Sequence, residues 1–117
     1  MLNTNIDELQ HRLRAFTEER NWAQFHSPKN LAMAMTVEVA ELVEIFQWMT
    51  EVQSQKLSQT DLQRVSEEIA DIFLYLLMLS DKLDVDLITA ANKKIELNAE
   101  KYPVDKCFGK SDKYDQL

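Results

Sequence analysis

Four acidic residues in two pairs carry the chemistry that can be read in this chain. Glu38-x-x-Glu41 comes first, and Glu68-x-x-Asp71 follows after 26 intervening residues. On a helical wheel of about 100° per residue, Glu38 falls in the middle of a stripe of Leu31, Met35, Leu42, Ile45 and Met49. Glu41 lies about 60° to one side and Glu44 about 60° further out. Glu68 sits in the same way amid Val65, Ile72, Tyr75 and Leu79, with Asp71 at the offset Glu41 has from Glu38. Each helix thus aims an acid pair at or beside its apolar seam. Burying one unpaired carboxylate costs several kcal/mol. Several together raise one another's pKa until some protonate.

Ion pairing could relieve this, but Lys94, Lys101, Arg12 and Arg14 are few and mostly on polar faces. A divalent cation supplies the missing positive charge. Four carboxylates with no His or Cys nearby favour Mg2+, with Mn2+ as a substitute, over Zn2+. A ferritin-like di-iron centre needs Glu-x-x-His on two helices. Here only Glu8-x-x-His11 matches, and it points away from the Leu9, Leu13, Phe16 stripe.

The elements that must position these acids are helices. Ile6, Leu9, Leu13 and Phe16 recur at steps of three and four and predict a helix over about 5–20, capped by Asn3, Thr4 or Asn5. A connector, 21–27, holds Trp22, Phe25 and His26. Ser27-Pro28 starts a second helix that reaches about Thr50. The polar stretch 51–60 reads as a loop. Thr60 or Asp61 caps a third helix to about Leu83, and its half from Ile72 to Leu79 is apolar on all sides. Asp84 or Asp86 opens a fourth helix that ends near Tyr102, because Pro103 blocks its continuation. Residues 103–117 read as an irregular tail of a single domain spanning 1–117.

Composition agrees. The 117 residues contain one Gly and two Pro, with neither type between Pro28 and Pro103. A sandwich or barrel needs turn residues every 8–12 positions, and a glycine phosphate loop needs several Gly. Both are excluded, and the fold class is all-α. The formal charge of −7 argues against a nucleic-acid polymer or an anionic membrane as partner. A single nucleotide stays open, since bound metal would invert the local field. The lone Cys107 fits a reducing compartment. The start, MLNTNIDELQ, has no basic-then-apolar pattern of a signal peptide, so the expectation is a cytoplasmic protein.

The two acid pairs together resemble the signature of the all-α nucleoside triphosphate pyrophosphatases, the MazG-like family. The resemblance extends to NWAQFHSPKNLAMAMTVEVAELVEIFQW (21–48), to SEEIADIFLYLLML, and to KKIELNAEKYPVDKCFG with the later Lys113-Tyr114. These are similar to the dCTP-pyrophosphatase branch, which has Trp-x-x-Phe-His before the second helix and Phe-Gln-Trp after the first acid pair. The first helix departs from that branch, carrying Leu13 where the branch has a His, with His11 two residues off register.

The resemblance implies hydrolysis of a free nucleoside triphosphate between the α and β phosphates, giving monophosphate and pyrophosphate with Mg2+. It implies a four-helix-bundle type of fold paired as a dimer or a dimer of dimers. Glu38, Glu41, Glu68 and Asp71 would carry the metal and the catalysis. Trp22, Phe25, His26, Trp48 and Tyr75 would line the nucleotide pocket, with Lys94 and Asn98 near phosphates or sugar. Chemically, Mg2+ can bridge acids and phosphate oxygens while orienting and acidifying a water. Glu41 and Glu44 are alternative acceptors for its proton. A non-catalytic helical assembly that keeps the acids is the competing class. Because a helix of 26 residues spans roughly 39 Å, Trp22 and Trp48 are expected to meet one base only if they come from different chains or the connector folds back.

Overall fold

Residues 5–117 are described by the structure, a computed structural model. The chain divides into two compact units, the first ending at Asp84 and the second spanning Val85–Leu117. All regular elements of the described residues are helical.

In the first unit, α1 is Ile6–Glu19. Its cap is Asn5, whose side-chain oxygen accepts from the Glu8 N–H at 2.9 Å; Asn3 and Thr4 lie outside the described residues. With no glycine available, α1 is closed by Asn21 in the left-handed region (φ 54°), a conformation Asn tolerates better than most residues. The Asn21 and Trp22 N–H groups donate back to the carbonyls of Glu18 and Thr17. A 3-10 turn over Ala23–Phe25 leads to Ser27, which caps α2, Pro28–Phe46, with Pro at the first position.

The second helix ends at Phe46, short of the Thr50 expected, because Thr50 begins another. Its hydroxyl accepts from the Gln53 N–H while the Gln53 side chain accepts from the Thr50 N–H. This reciprocal cap builds α3, Glu51–Ser54, inside the stretch expected to be a loop. The long helix α4, Gln59–Lys82, is capped by Ser58 rather than by Thr60 or Asp61, and so starts earlier than expected. Asp84 (φ 53°) sits at its exit in the left-handed region and caps nothing.

The core lies between α2 and α4, and Leu31, Ile45, Val65 and Leu77 are its buried apolar residues. The stripes read from the wheel are the ones turned inward. Leu31 and Leu77 are fully enclosed, while Met35, Leu42, Met49, Ile72, Tyr75 and Leu79 are half-buried. Helix α1 also packs on α4 but buries none of its residues.

In the second unit, Asp86 accepts from the Thr89 N–H and caps α5, Leu87–Lys101. The tail expected to be irregular holds a short α6, Val104–Cys107, and a 3-10 turn, Tyr114–Gln116. The Tyr114 ring meets Tyr102 edge-on at 6.2 Å between centroids. No helix of the described residues is long and apolar enough to cross a membrane.

Candidate functional site

The α2–α4 pairing brings Glu38 and Glu41 of α2 together with Glu68 of α4, while Asp71 stands outside this cluster on the wall of the neighbouring cleft. Glu38, Glu41 and Glu68 each offer a carboxylate oxygen, and the three oxygens lie within 4.8 Å of one another. Glu38 and Glu68 are half-buried, and each leaves its Oε2 buried with no hydrogen-bond partner. Glu41 and Asp71 are exposed. Among the described residues the ion pairs are Arg14–Asp81, Arg20–Glu19 and Arg64–Asp61, and the four acids take no part in them. Arg14, one of the cations considered as a partner for these acids, is engaged elsewhere.

The electrostatic consequence falls on Glu38. Burial pushes its carboxyl up from 4.5 to about 7, and the neighbouring carboxylates of Glu68 and Glu41 and the charge of Asp71 push the same way. A group buried without a counter-charge in this way is a mark of a functional site. The donor chemistry fits a hard divalent cation. The oxygens are all carboxylate, two are buried and otherwise orphaned, and excess negative charge is concentrated there.

Beside this cluster is a cleft of about 230 Å³, lined on one side by Leu13, Phe16 and Thr17 of α1 with Trp22 and His26 of the connector. The other side is Glu38 of α2 with Asp71, Leu74, Tyr75 and Met78 of α4. The Trp22 ring is held edge-on against Phe16 at 5.7 Å between centroids. The structure thus gathers Trp22, His26, Glu38, Asp71 and Tyr75 around one cavity, with Glu41 and Glu68 beside Glu38. It leaves Phe25 and Trp48 out of the cleft, at 58% and 89% exposed. Lys94 and Asn98 are exposed residues of α5 in the second unit. Leu13, Phe16, Thr17, Leu74 and Met78 escape a sequence reading as site residues, because an apolar stripe does not reveal whether it faces a core or a cavity.

A model of the MazG-like family matches residues 33–117, a stretch containing all four acids. The chain belongs to the MazG-like family. Among relatives of this MazG-like chain, dCTP pyrophosphatase 1 of Homo sapiens is 38% identical over 104 residues, covering 87% of the chain and 61% of that protein. The Mus musculus dCTP pyrophosphatase 1 is 39% identical with the same coverage. The chain therefore spans about three fifths (61%) of the length of these curated relatives. Among solved structures, a pyrophosphatase from Archaeoglobus fulgidus DSM 4304 superposes with a TM-score of 0.81 at 40% identity, covering 88% of this chain and 96% of that one. The MazG-like match begins after Trp22, Phe25 and His26, so the connector's aromatics stand outside it.

Proposed function

We propose that this chain is a Mg2+-dependent nucleoside triphosphate pyrophosphohydrolase. It cleaves the α–β phosphate bond of free (deoxy)nucleoside triphosphates, dCTP-like substrates first, and releases monophosphate and pyrophosphate. The observation that carries this reading is the orphaned Glu38 and Glu68 oxygens beside an aromatic cleft. The likeness to proteins named dCTP pyrophosphatase supports the choice of substrate.

In this reading Glu38, Glu41, Glu68 and Asp71 hold the cation. When bound, it supplies positive charge to the phosphates and acidifies a water. The acids would place the triphosphate end only through that cation, since carboxylates alone repel phosphate oxygens. Trp22 and Tyr75 offer rings to the base, a contact worth about 1–3 kcal/mol per base where stacking is achieved. His26 closes the connector side of the same cleft.

We further propose that the whole chain acts as one domain in the cytoplasm, as a dimer or dimer of dimers. Phe73 and Leu76, in the apolar run of α4, remain 39% and 36% exposed, which supports a covering copy. Trp48 then completes the pocket of a neighbouring copy.

The test is pyrophosphate release from each of the deoxynucleoside triphosphates, with Mg2+ and with excess EDTA. Release that is fastest with dCTP and abolished by EDTA is expected. No release from any triphosphate would favour a non-catalytic assembly instead.

A further inference from the structure

Helix α1 forms one wall of the cleft yet buries none of its own residues. Surface helices are normally held by an apolar face packed into a core. Here the hydrogen bonds that tie α1 to α4 come from two polar side chains one turn apart. The Gln10 amide donates to the Leu77 carbonyl at 3.1 Å and to the Ser80 hydroxyl at 3.2 Å. The Arg14 guanidinium grips Asp81 with two bonds, Nε to Oδ2 at 2.7 Å and Nη2 to Oδ1 at 2.9 Å. A two-bond fork fixes orientation as well as distance. The pair holds the Asp81 carboxyl below the usual carboxylate range.

Behind the cleft lies a second cavity of about 180 Å³, lined by Gln10, Arg14 and Asp81 among others. Leu13, Thr17, His26 and Met78 line both cavities and form the partition between them. A partition with space on both sides lacks the dispersion contacts that would back it. The position of its α1 part, Leu13 and Thr17, therefore depends on where α1 is tied. The acids stand on α2 and α4, and the tie holds α4 beyond Asp71, at the Leu77 carbonyl, Ser80 and Asp81, so that none of the four acids takes part in it.

We infer that Arg14, Asp81 and Gln10 form a positioning latch that sets the width of the base-binding side of the cleft without touching the acid cluster. This rests on the proposed pyrophosphohydrolase reading for its kinetic consequence, though not for its mechanical one. Loosening the latch lets Leu13, Phe16 and Trp22 move away from Tyr75 and Met78. Base contacts weaken while the cation ligands stay in place, so KM changes and kcat does not.

The experiment uses the full chain with Arg14→Gln, Asp81→Asn and Arg14→Lys. In the otherwise natural sequence, the first two are expected to raise KM for dCTP about 3- to 5-fold, as loss of an exposed pair allows, with kcat unchanged within about two-fold. Arg14→Lys restores only part of the affinity, because an ammonium cannot reproduce the fork. A second readout needs no activity. Trp22 and Trp48 are the two tryptophans of the chain, so a Trp48→Phe background makes the emission report on Trp22 alone. Acrylamide quenching of Trp22 is expected to rise with Arg14→Gln and with Asp81→Asn.

Unchanged KM, or a fall in kcat at unchanged KM, would overturn the latch. Unchanged Trp22 quenching would overturn it on its own. If the unsubstituted chain hydrolyses no triphosphate, the function falls and the quenching result alone decides the latch.

Discussion

Replacing Glu38 by Gln keeps the side chain's volume and removes a charge that the fold places badly. In the natural chain, burial and the neighbouring acids raise this carboxyl from 4.5 to about 7. Between those values the folded state holds a proton that the unfolded state has released. Stability therefore falls as pH rises through this window, and the loss is complete above about pH 7. A shift of that size sets a ceiling of about 3 kcal/mol at roughly 1.4 kcal/mol per unit. Glu38 is only half-buried, so solvent screening reduces the effect to about 1–2 kcal/mol.

The Glu38→Gln chain carries no charge at this position at any pH. Its advantage over the natural chain should grow from pH 5 to 7 and then level off. For a chain of this size about 4 °C accompanies each kcal/mol, which places the plateau at about 4–8 °C. The assay is thermal melting at fixed protein concentration in EDTA across that pH range, repeated with Mg2+. With Mg2+ the order should reverse, because only the natural chain gains the full binding stabilisation. A variant that melts below the natural chain at pH 8 in EDTA would mean that the Glu38 charge does not destabilise the fold. So would a difference that does not change between pH 5 and 7.

Three further outcomes follow from the same geometry. Glu68→Gln should cut pyrophosphate release about 100-fold or more at limiting Mg2+, and near-natural turnover there would remove Glu68 from the cation site. Leu77→Ala empties a fully enclosed core position (0% exposed) and should cost about 2–5 kcal/mol in urea unfolding; a loss under about 1 kcal/mol would mean that the surrounding core closes around the gap. Mixing Glu38→Gln subunits with Trp48→Ala subunits, each weak alone, should regain activity after subunit exchange. Demonstrated exchange with no regain would place Glu38 and Trp48 in one site from one chain.

Much of the architecture is legible in the sequence because the helices are long and strongly periodic. Ser27-Pro28 marks the start of α2, and Leu31 through Ile45 marks its inner face, because a cap followed by proline and a 3.6-residue stripe each have few alternative readings. The four-residue α3 is not legible in the same way. One turn has no periodicity, and the only signal is Thr50 with Gln53 three residues on. The start of α4 is ambiguous because Ser58, Thr60 and Asp61 are all capable caps, and the choice of Ser58 extends the helix by less than a turn.

At the site, the conflict of acids on an apolar stripe points to Glu38 and Glu68 before any geometry. The stripe of α1 is harder to interpret. Leu13 and Phe16 have the same spacing whether they meet a core or a cavity, and here they meet the cavity. Arg14 illustrates the same limit. Its charge is visible, but its partner is 67 positions away in sequence and depends on how α1 crosses α4. Trp48 is a third case: helix length alone separates it from Trp22 within one chain, but its 89% exposure outside the cleft is visible only in the structure.

In the proposed reaction the acid cluster directs cleavage between the α and β phosphates. The most direct test is 31P NMR of dCTP incubated with the purified chain and Mg2+. The triphosphate signals should give way to equal amounts of dCMP and pyrophosphate, and the Glu38→Gln chain should leave the dCTP intact. Appearance of dCDP and orthophosphate, or equal pyrophosphate formation by the Glu38→Gln chain, would contradict this reading.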